Sequence, residues 1–214
     1  MLQEAFIQLF TGEKIVWMNL ANAVEIAGYA IVIALLVSIP FGLLIGIERF
    51  PGKRLLLFLV HLWMYVPAVG LGIFLYYQST GEFISPIGLI LWSAILIIPL
   101  MTGLIADILL ERDQRVDEEI YALGASKLQM YFTQMNEKRT AIYGAISGGF
   151  ARIFIEIGSF YLVLSFLFGQ GFPSKPVFNL SGASAHLAVA LGLFLIGGII
   201  YLGIHFLQFY RRRL

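Results

Sequence analysis

The sequence has no cysteine, only three histidines and few charges, with 13% of its 214 residues Asp, Glu, Lys or Arg. Without cysteine there is no disulfide and no thiolate metal ligand, and thiol usage says nothing of a redox compartment. His61, His186 and His205 are scattered along the chain with no paired spacing such as H-x3-H, which argues against a metal site. Also missing are a G-x4-G-K-[ST] phosphate loop, a G-x-S-x-G elbow and an H-E-x-x-H pair. The chain therefore carries no recognisable ATPase or other catalytic constellation, and it reads as something other than an enzyme. Its first stretch, with Glu4, Glu13 and Lys14, lacks the basic region and cleavable apolar core of a signal peptide. That stretch, Met1 to Asn19, reads instead as an amphipathic lead-in with Phe6, Leu9 and Phe10 on one face.

Apolar surface is what the chain has in excess: 59% of residues are hydrophobic and the mean hydropathy is +0.87. Such a balance belongs in lipid. Unpaired backbone groups cost several kcal/mol each in hydrocarbon, so spans must be helices or a closed barrel. Apolar runs at 20–47, 55–77, 83–110, 141–168 and 184–209 are too long and too uniform for alternating barrel strands. A helix needs roughly 20 such residues to cross, so the fold class is an all-α membrane protein with about five transmembrane helices, a single domain over the whole chain.

Basic residues orient these runs. Arg49, Lys53 and Arg54 follow the first, Arg112, Arg115, Lys127, Lys138 and Arg139 follow the third, and Arg211, Arg212 and Arg213 end the chain, while the other flanks offer only Lys14 and Lys175. By the positive-inside rule the basic segments are cytoplasmic, which puts the N-terminus outside and the C-terminus inside. Gly42 with Gly46, and Gly144 with Gly148 and Gly149, have the spacing that lets helices approach closely, within one chain or between two. Pro40, Pro67 and Pro99 fall inside spans and are expected to kink them. Trp17, Tyr76, Tyr77, Tyr201 and Tyr210 fall near expected interfaces, as aromatic belts do.

The segment 111–140 is charged yet patterned. Val116, Ile120 and Leu123 follow a helical stripe, Gly124 and Ala125 interrupt it, and Ser126 with Gln129 has capping-box spacing. A second stripe of Leu128, Tyr131, Phe132 and Met135 gives the next helix an apolar face that needs a partner. The segment therefore predicts helix, tight turn, helix, for which a pair lying on the membrane surface is the alternative use.

Glu118 and Gly124 are spaced E-x5-G before the penultimate run, and this element resembles the EAA loop of permeases from binding-protein-dependent ABC importers. Glu119 and Ile120 stand where that loop has alanines. The resemblance implies a type I ABC importer permease bundle in which the helix-turn-helix docks in a groove of the ATPase, through Glu118, Glu119, Ala122, Gly124, Ala125 and Ser126. The stretches MYVPAVGLGIFLYY, IIPLMTGL, EEIYALGASKLQ, GGFARIFIEIGS and LAVALGL resemble, in order, segments of the tungstate branch of these permeases, with molybdate and sulfate permeases as close relatives. The branch implies two ATP-binding subunits that hold ATP and Mg, an extracytoplasmic substrate-binding protein and no cofactor in this chain. An odd number of spans without internal repeat adds a second copy of the chain, a homodimer.

Arg152 and Glu156 lie midway along the fourth run, about 16 Å past its start for Arg152. Ionisable groups at that depth usually face a bundle interior or an aqueous path, and their i, i+4 spacing lets them pair. Together with Gly158 they match a G/A-R-x-x-x-E-x-G pattern of the tungstate-like branch. The expected pathway set is Arg152, Glu156, Gly158, Glu25 near the outer end of the first run, and Pro67. A structural ion pair is the competing use of Arg152 and Glu156, and an ion-coupled secondary carrier is the competing function.

Overall fold

The structure is a computed structural model that describes residues 2–64, 86–169 and 183–211. Pro67, Lys175, the aromatic pair Tyr76 and Tyr77, and the side chain of His205 lie outside the described residues. Among the described residues the regular structure is helical: α1 (Leu2–Phe10), α2 (Lys14–Ile47), α3 (Lys53–Met64), α4 (Pro86–Leu110), α5 (Gln114–Ala122), α6 (Lys127–Glu137), α7 (Arg139–Gly169) and α8 (Ala183–Arg211).

Four of these helices are long and apolar enough to cross a membrane among the described residues: α2, α4, and the stretches Arg139–Val163 of α7 and Ala183–Gly203 of α8. The run expected at 55–77 coincides with α3 as far as Met64, and the rest of it falls outside the described residues. At 1.5 Å per residue α2 is about 51 Å long, well beyond a hydrocarbon core of about 30 Å.

The expected lead-in is shorter than the sequence implied. Gly12, with φ 76°, ends α1, and the long helix has already begun at Lys14, since no breaker stands between it and Leu20. Nor do Phe6, Leu9 and Phe10 share a buried face. Ala5 and Leu9 turn inward, where α1 lies on α8, while Phe6 and Phe10 stack outside with ring centroids 6.2 Å apart. Trp17 fastens the turn by donating from Nε1 to the Leu9 carbonyl at 3.1 Å.

The core is assembled from small residues on α2 (Ala23, Ala27, Ala30, Ala34) against α4, α7 and α8. Two helix pairs make the most extensive contacts, α2 with α4 and α7 with α8. On α2, Ser38, Gly42 and Gly46 recur every fourth residue and face α4: Ser38 Oγ donates to the Ile98 carbonyl at 3.0 Å, and a Cβ at Gly42 or Gly46 would lie 2.7 Å from Ile105 or 2.6 Å from Leu109. The small-residue spacing of the first run is thus spent inside the chain. On α7, Gly158 lies under Phe194 of α8, where a Cβ would come within 2.9 Å, and Gly149 lies under Met101 of α4 at the same distance. Pro40 and Pro99 both sit within continuous helices. A separate small cluster of Ile47, Ile105, Leu109 and Met130 seats the α5–α6 hairpin on the joined ends of α2 and α4.

Candidate functional site

The α5–α6 hairpin is built from local signals. Asp113 caps α5, its carboxylate accepting from the Arg115 N–H at 3.0 Å. At the other end the Ala125 N–H reaches the Ile120 carbonyl at 3.3 Å and the Gly124 N–H reaches that of Tyr121 at 2.9 Å. This is a Schellman turn, and Gly124 occupies its left-handed position with φ 81°. Ser126 and Gln129 then form a complete capping box, the Ser126 N–H donating to Gln129 Oε1 at 2.7 Å.

Of the residues marked in the sequence, Glu118, Glu119, Ala122, Gly124 and Ser126 are exposed and Ala125 is half-buried. Around them stand apolar side chains that this chain leaves uncovered: Leu123 (87% exposed), Leu128 (65%) and Phe132 (64%). Leu123 departs from the stripe it was expected to share with Val116 and Ile120, because as the C-cap of α5 it leaves the helical path at the apex. The second stripe divides as well. Met130 and Gln134 are the buried residues of α6, Tyr131 and Met135 are half-buried, and Leu128 and Phe132 point away.

Two polar straps, unseen in the sequence, hold the hairpin. Arg112 donates to Asp117 through Nε at 2.8 Å and to the carbonyls of Gly46, Leu109 and Ile47 at 3.0, 3.0 and 3.2 Å. Asp117 accepts in addition from Gln134 Nε2 at 2.6 Å. The second strap is Glu48, the C-cap of α2, which accepts from the Tyr131 hydroxyl and from Lys127 Nζ at 3.3 Å. The Tyr131 hydrogen bond, followed by Lys127, holds the Glu48 carboxyl below the usual glutamate range despite partial desolvation. Burial, together with the carboxylate it bonds, pushes the Tyr131 phenol up to about 12. Glu118 joins Glu48, Arg49, Arg112, Asp117 and Tyr121 around a cavity of about 320 Å³ between α5 and the end of α2.

The intramembrane candidates lie on another side of the molecule. On α7 Arg152 Nε donates to Glu156 Oε1 in an i, i+4 ion pair. The Glu156 side chain is 9% exposed and that of Arg152 44%, on a face that also bears exposed Ile155 and Leu162. Ile153, Phe154 and Ile157 occupy the opposite face and are buried in the bundle. Gly158 shares that inner face and serves the packing of α8, so it does not line the surface of Arg152. Glu25 is exposed on α2, in a stripe with Tyr29, Val32 and Leu36, and no hydrogen bond or ion pair among the described residues joins it to Arg152. Pro67 lies outside the described residues.

Two histidines have partners that spacing did not reveal. His61 of α3 lies 2.9 Å from Asp107 of α4, tying those helices together, and His186 is buried beside the Tyr161 ring. Among the described residues no three His, Asp or Glu side chains gather as a metal site would require.

The hairpin thus carries an uncovered apolar tip of Leu123, Leu128 and Phe132 and is seated on the ends of two packed helices. Residues 38–212 match the protein family described as binding-protein-dependent transport system inner membrane component. The tungstate uptake system permease protein TupB of Peptoclostridium acidaminophilum is 29% identical over 185 residues, covering 81% of this chain and 81% of that one. With the matched region spanning most of its length, the chain belongs to the family of inner-membrane components of binding-protein-dependent transport systems.

Proposed function

We propose that this multi-pass inner-membrane permease forms the path by which an oxyanion enters the cell, tungstate first and molybdate or sulfate next. The observation that carries the reading is Arg152: a cation with nearly half its side chain exposed, midway along an apolar helix, on a face that the described residues leave open. Such a group is too costly to leave in lipid and belongs on an aqueous path or against a second protein. A second copy of the chain supplies the opposite wall, and Glu156 offsets the charge so that an anion passes without being trapped. The name of its relative from Peptoclostridium acidaminophilum supports tungstate as the cargo.

In this reading the chain crosses five times, with the N-terminus outside and the hairpin and C-terminus in the cytoplasm. Glu25, placed on α2 about 30 Å or more from the Ile47 end, stands at the outer mouth. Two ATP-binding subunits hold ATP and Mg and dock on the hairpin through Glu118, Glu119, Ala122, Gly124, Ala125 and Ser126 and the apolar tip of Leu123, Leu128 and Phe132. An extracytoplasmic binding protein delivers the anion. The test compares tungstate, molybdate and sulfate uptake by the reconstituted system with and without Arg152→Gln. Loss of uptake at unchanged assembly is the expected result. Normal uptake in assembled Arg152→Gln removes Arg152 from the path, and uptake by the permease alone under an ion gradient replaces the ATP-driven reading with a secondary carrier.

A further inference from the structure

The strap around Arg112 does more than close a helix. Arg112 stands in the turn just after α4, and its guanidinium reaches three backbone carbonyls: Gly46 and Ile47 at the end of α2 and Leu109 at the end of α4. Carbonyls of a final turn have no N–H partner within their own helix and carry the negative end of its dipole. One cation therefore bonds the ends of two spanning helices at once, with Lys53 Nζ sharing the Gly46 carbonyl at 3.3 Å. Of its remaining donors, Nε is committed to Asp117 on α5, and the other oxygen of that carboxylate takes the Gln134 amide from α6. The Arg112 and Asp117 side chains are 10% and 13% exposed and Gln134 is fully buried, so solvent does not readily replace any of these bonds.

A guanidinium is a planar fork whose donors keep fixed relative directions, and a carboxylate is planar too. A shift of α5 cannot be absorbed at Asp117 without either breaking a buried bond or turning Arg112, and turning Arg112 carries the ends of α2 and α4 with it. Those two helices are themselves locked by Gly42 against Ile105 and Gly46 against Leu109, so they move as a pair. The Glu48 strap is looser, since Lys127 is largely exposed.

We propose that Arg112 is the positioning residue that passes movement of the hairpin to the α2–α4 pair, acting through Asp117 and Gln134. The proposal rests on the hairpin being the ATPase dock, and it names the route taken inside the permease: into α2 and α4, not directly along the adjoining α7.

The test uses the whole transporter in proteoliposomes with whichever of tungstate, molybdate and sulfate the parent takes up. Uptake per ATP hydrolysed is compared for Arg112→Gln, Asp117→Asn and the two combined. Transmission through this joint predicts that each variant keeps its ATPase bound and hydrolysing while uptake per ATP falls at least tenfold. The double variant should be little worse than either single one, as expected for members of one network. Uptake per ATP equal to the parent in both single variants overturns the proposal, and so does a proportional fall of uptake and hydrolysis, which marks a static cap. If Arg112→Gln fails to accumulate, Asp117→Asn, which changes charge at constant shape, decides the matter by the same criteria. Leu123→Asp separates the underlying reading: it should release the ATPase. An ATPase that stays bound to Leu123→Asp removes the dock, and the relay with it, whereas release of the ATPase combined with normal coupling in Asp117→Asn removes the relay alone.

Discussion

Single residues set two measurable properties of the hairpin. At Gly124 a Cβ would meet nothing within 4 Å, so space is not the constraint; the φ of 81° is. An L residue held there costs about 1–2 kcal/mol, with Asn paying the least because its short polar side chain tolerates the left-handed region. Gly124→Val should therefore lower uptake per ATP with unchanged membrane insertion, while Gly124→Asn keeps most of it, although the two side chains differ little in bulk. Equal damage from both would make side-chain volume the cause. Glu48 carries a pH dependence whose sign follows from its lowered pKa. A carboxylate depressed in the folded state contributes its full share above the unfolded value of about 4.3 and loses it as pH falls through the lower folded value. Acid should thus loosen α6 from the end of α2, measured below about pH 4 as lower protection of the amides around Tyr131 relative to their intrinsic exchange at the same pH. Glu48→Gln should exchange quickly at neutral pH already and show a weaker dependence on acid.

Elements differ in how far the sequence discloses them. The hairpin was legible almost to the residue because its signals are local: a capping box spans Ser126 to Gln129, and the Schellman turn is contained in IYALGA. What escaped is what depends on distance along the chain. Arg112 reaches carbonyls 65 and 66 residues away, and Glu48 meets Tyr131 across 83. Periodicity also misjudged orientation where an element is short or ends, as with Leu123 at the apex and Leu9 in α1, because a stripe identifies a face without saying which neighbour covers it. The glycines of α2 fall between these cases: their spacing announced a close approach, but only packing names α4 as the partner. Gly46→Val would press methyl groups into Leu109 and the Ala106 carbonyl, at a cost of about 1–3 kcal/mol for an overpacked contact. Gly148→Ala enters open space and should be neutral in this chain. Thermal unfolding in detergent, read side by side, should lower the midpoint for the first variant only; a stable Gly46→Val would mean that α2 and α4 part more readily than their contacts imply.

At the scale of the whole molecule, the distribution of charge and the distribution of cover disagree, and the disagreement has a direction. α2 and α7 both leave a broad face open, yet the open face of α2 around Val32 and Leu36 is apolar, whereas that of α7 carries Arg152 with Glu156 between Ile155 and Leu162. Lipid can cover the first of these, the apolar stretch, without cost, Glu25 standing about two turns further out on the same stripe, toward the aqueous end. It covers the second only by desolvating an ion pair, so the α7 face is the one that a second copy of the chain should meet, with the path between the two. The absence of cysteine makes the distinction direct to measure, since any thiol introduced is unique. Ile155→Cys is expected to crosslink two copies in native membranes with a short bifunctional maleimide, and Leu36→Cys, though more exposed, is not. Addition of the transported anion should slow the Ile155→Cys reaction if the path runs along that face. Crosslinking through Leu36→Cys with none through Ile155→Cys would move the interface to α2 and leave Arg152 to a packing role, with its charge met by some other protein.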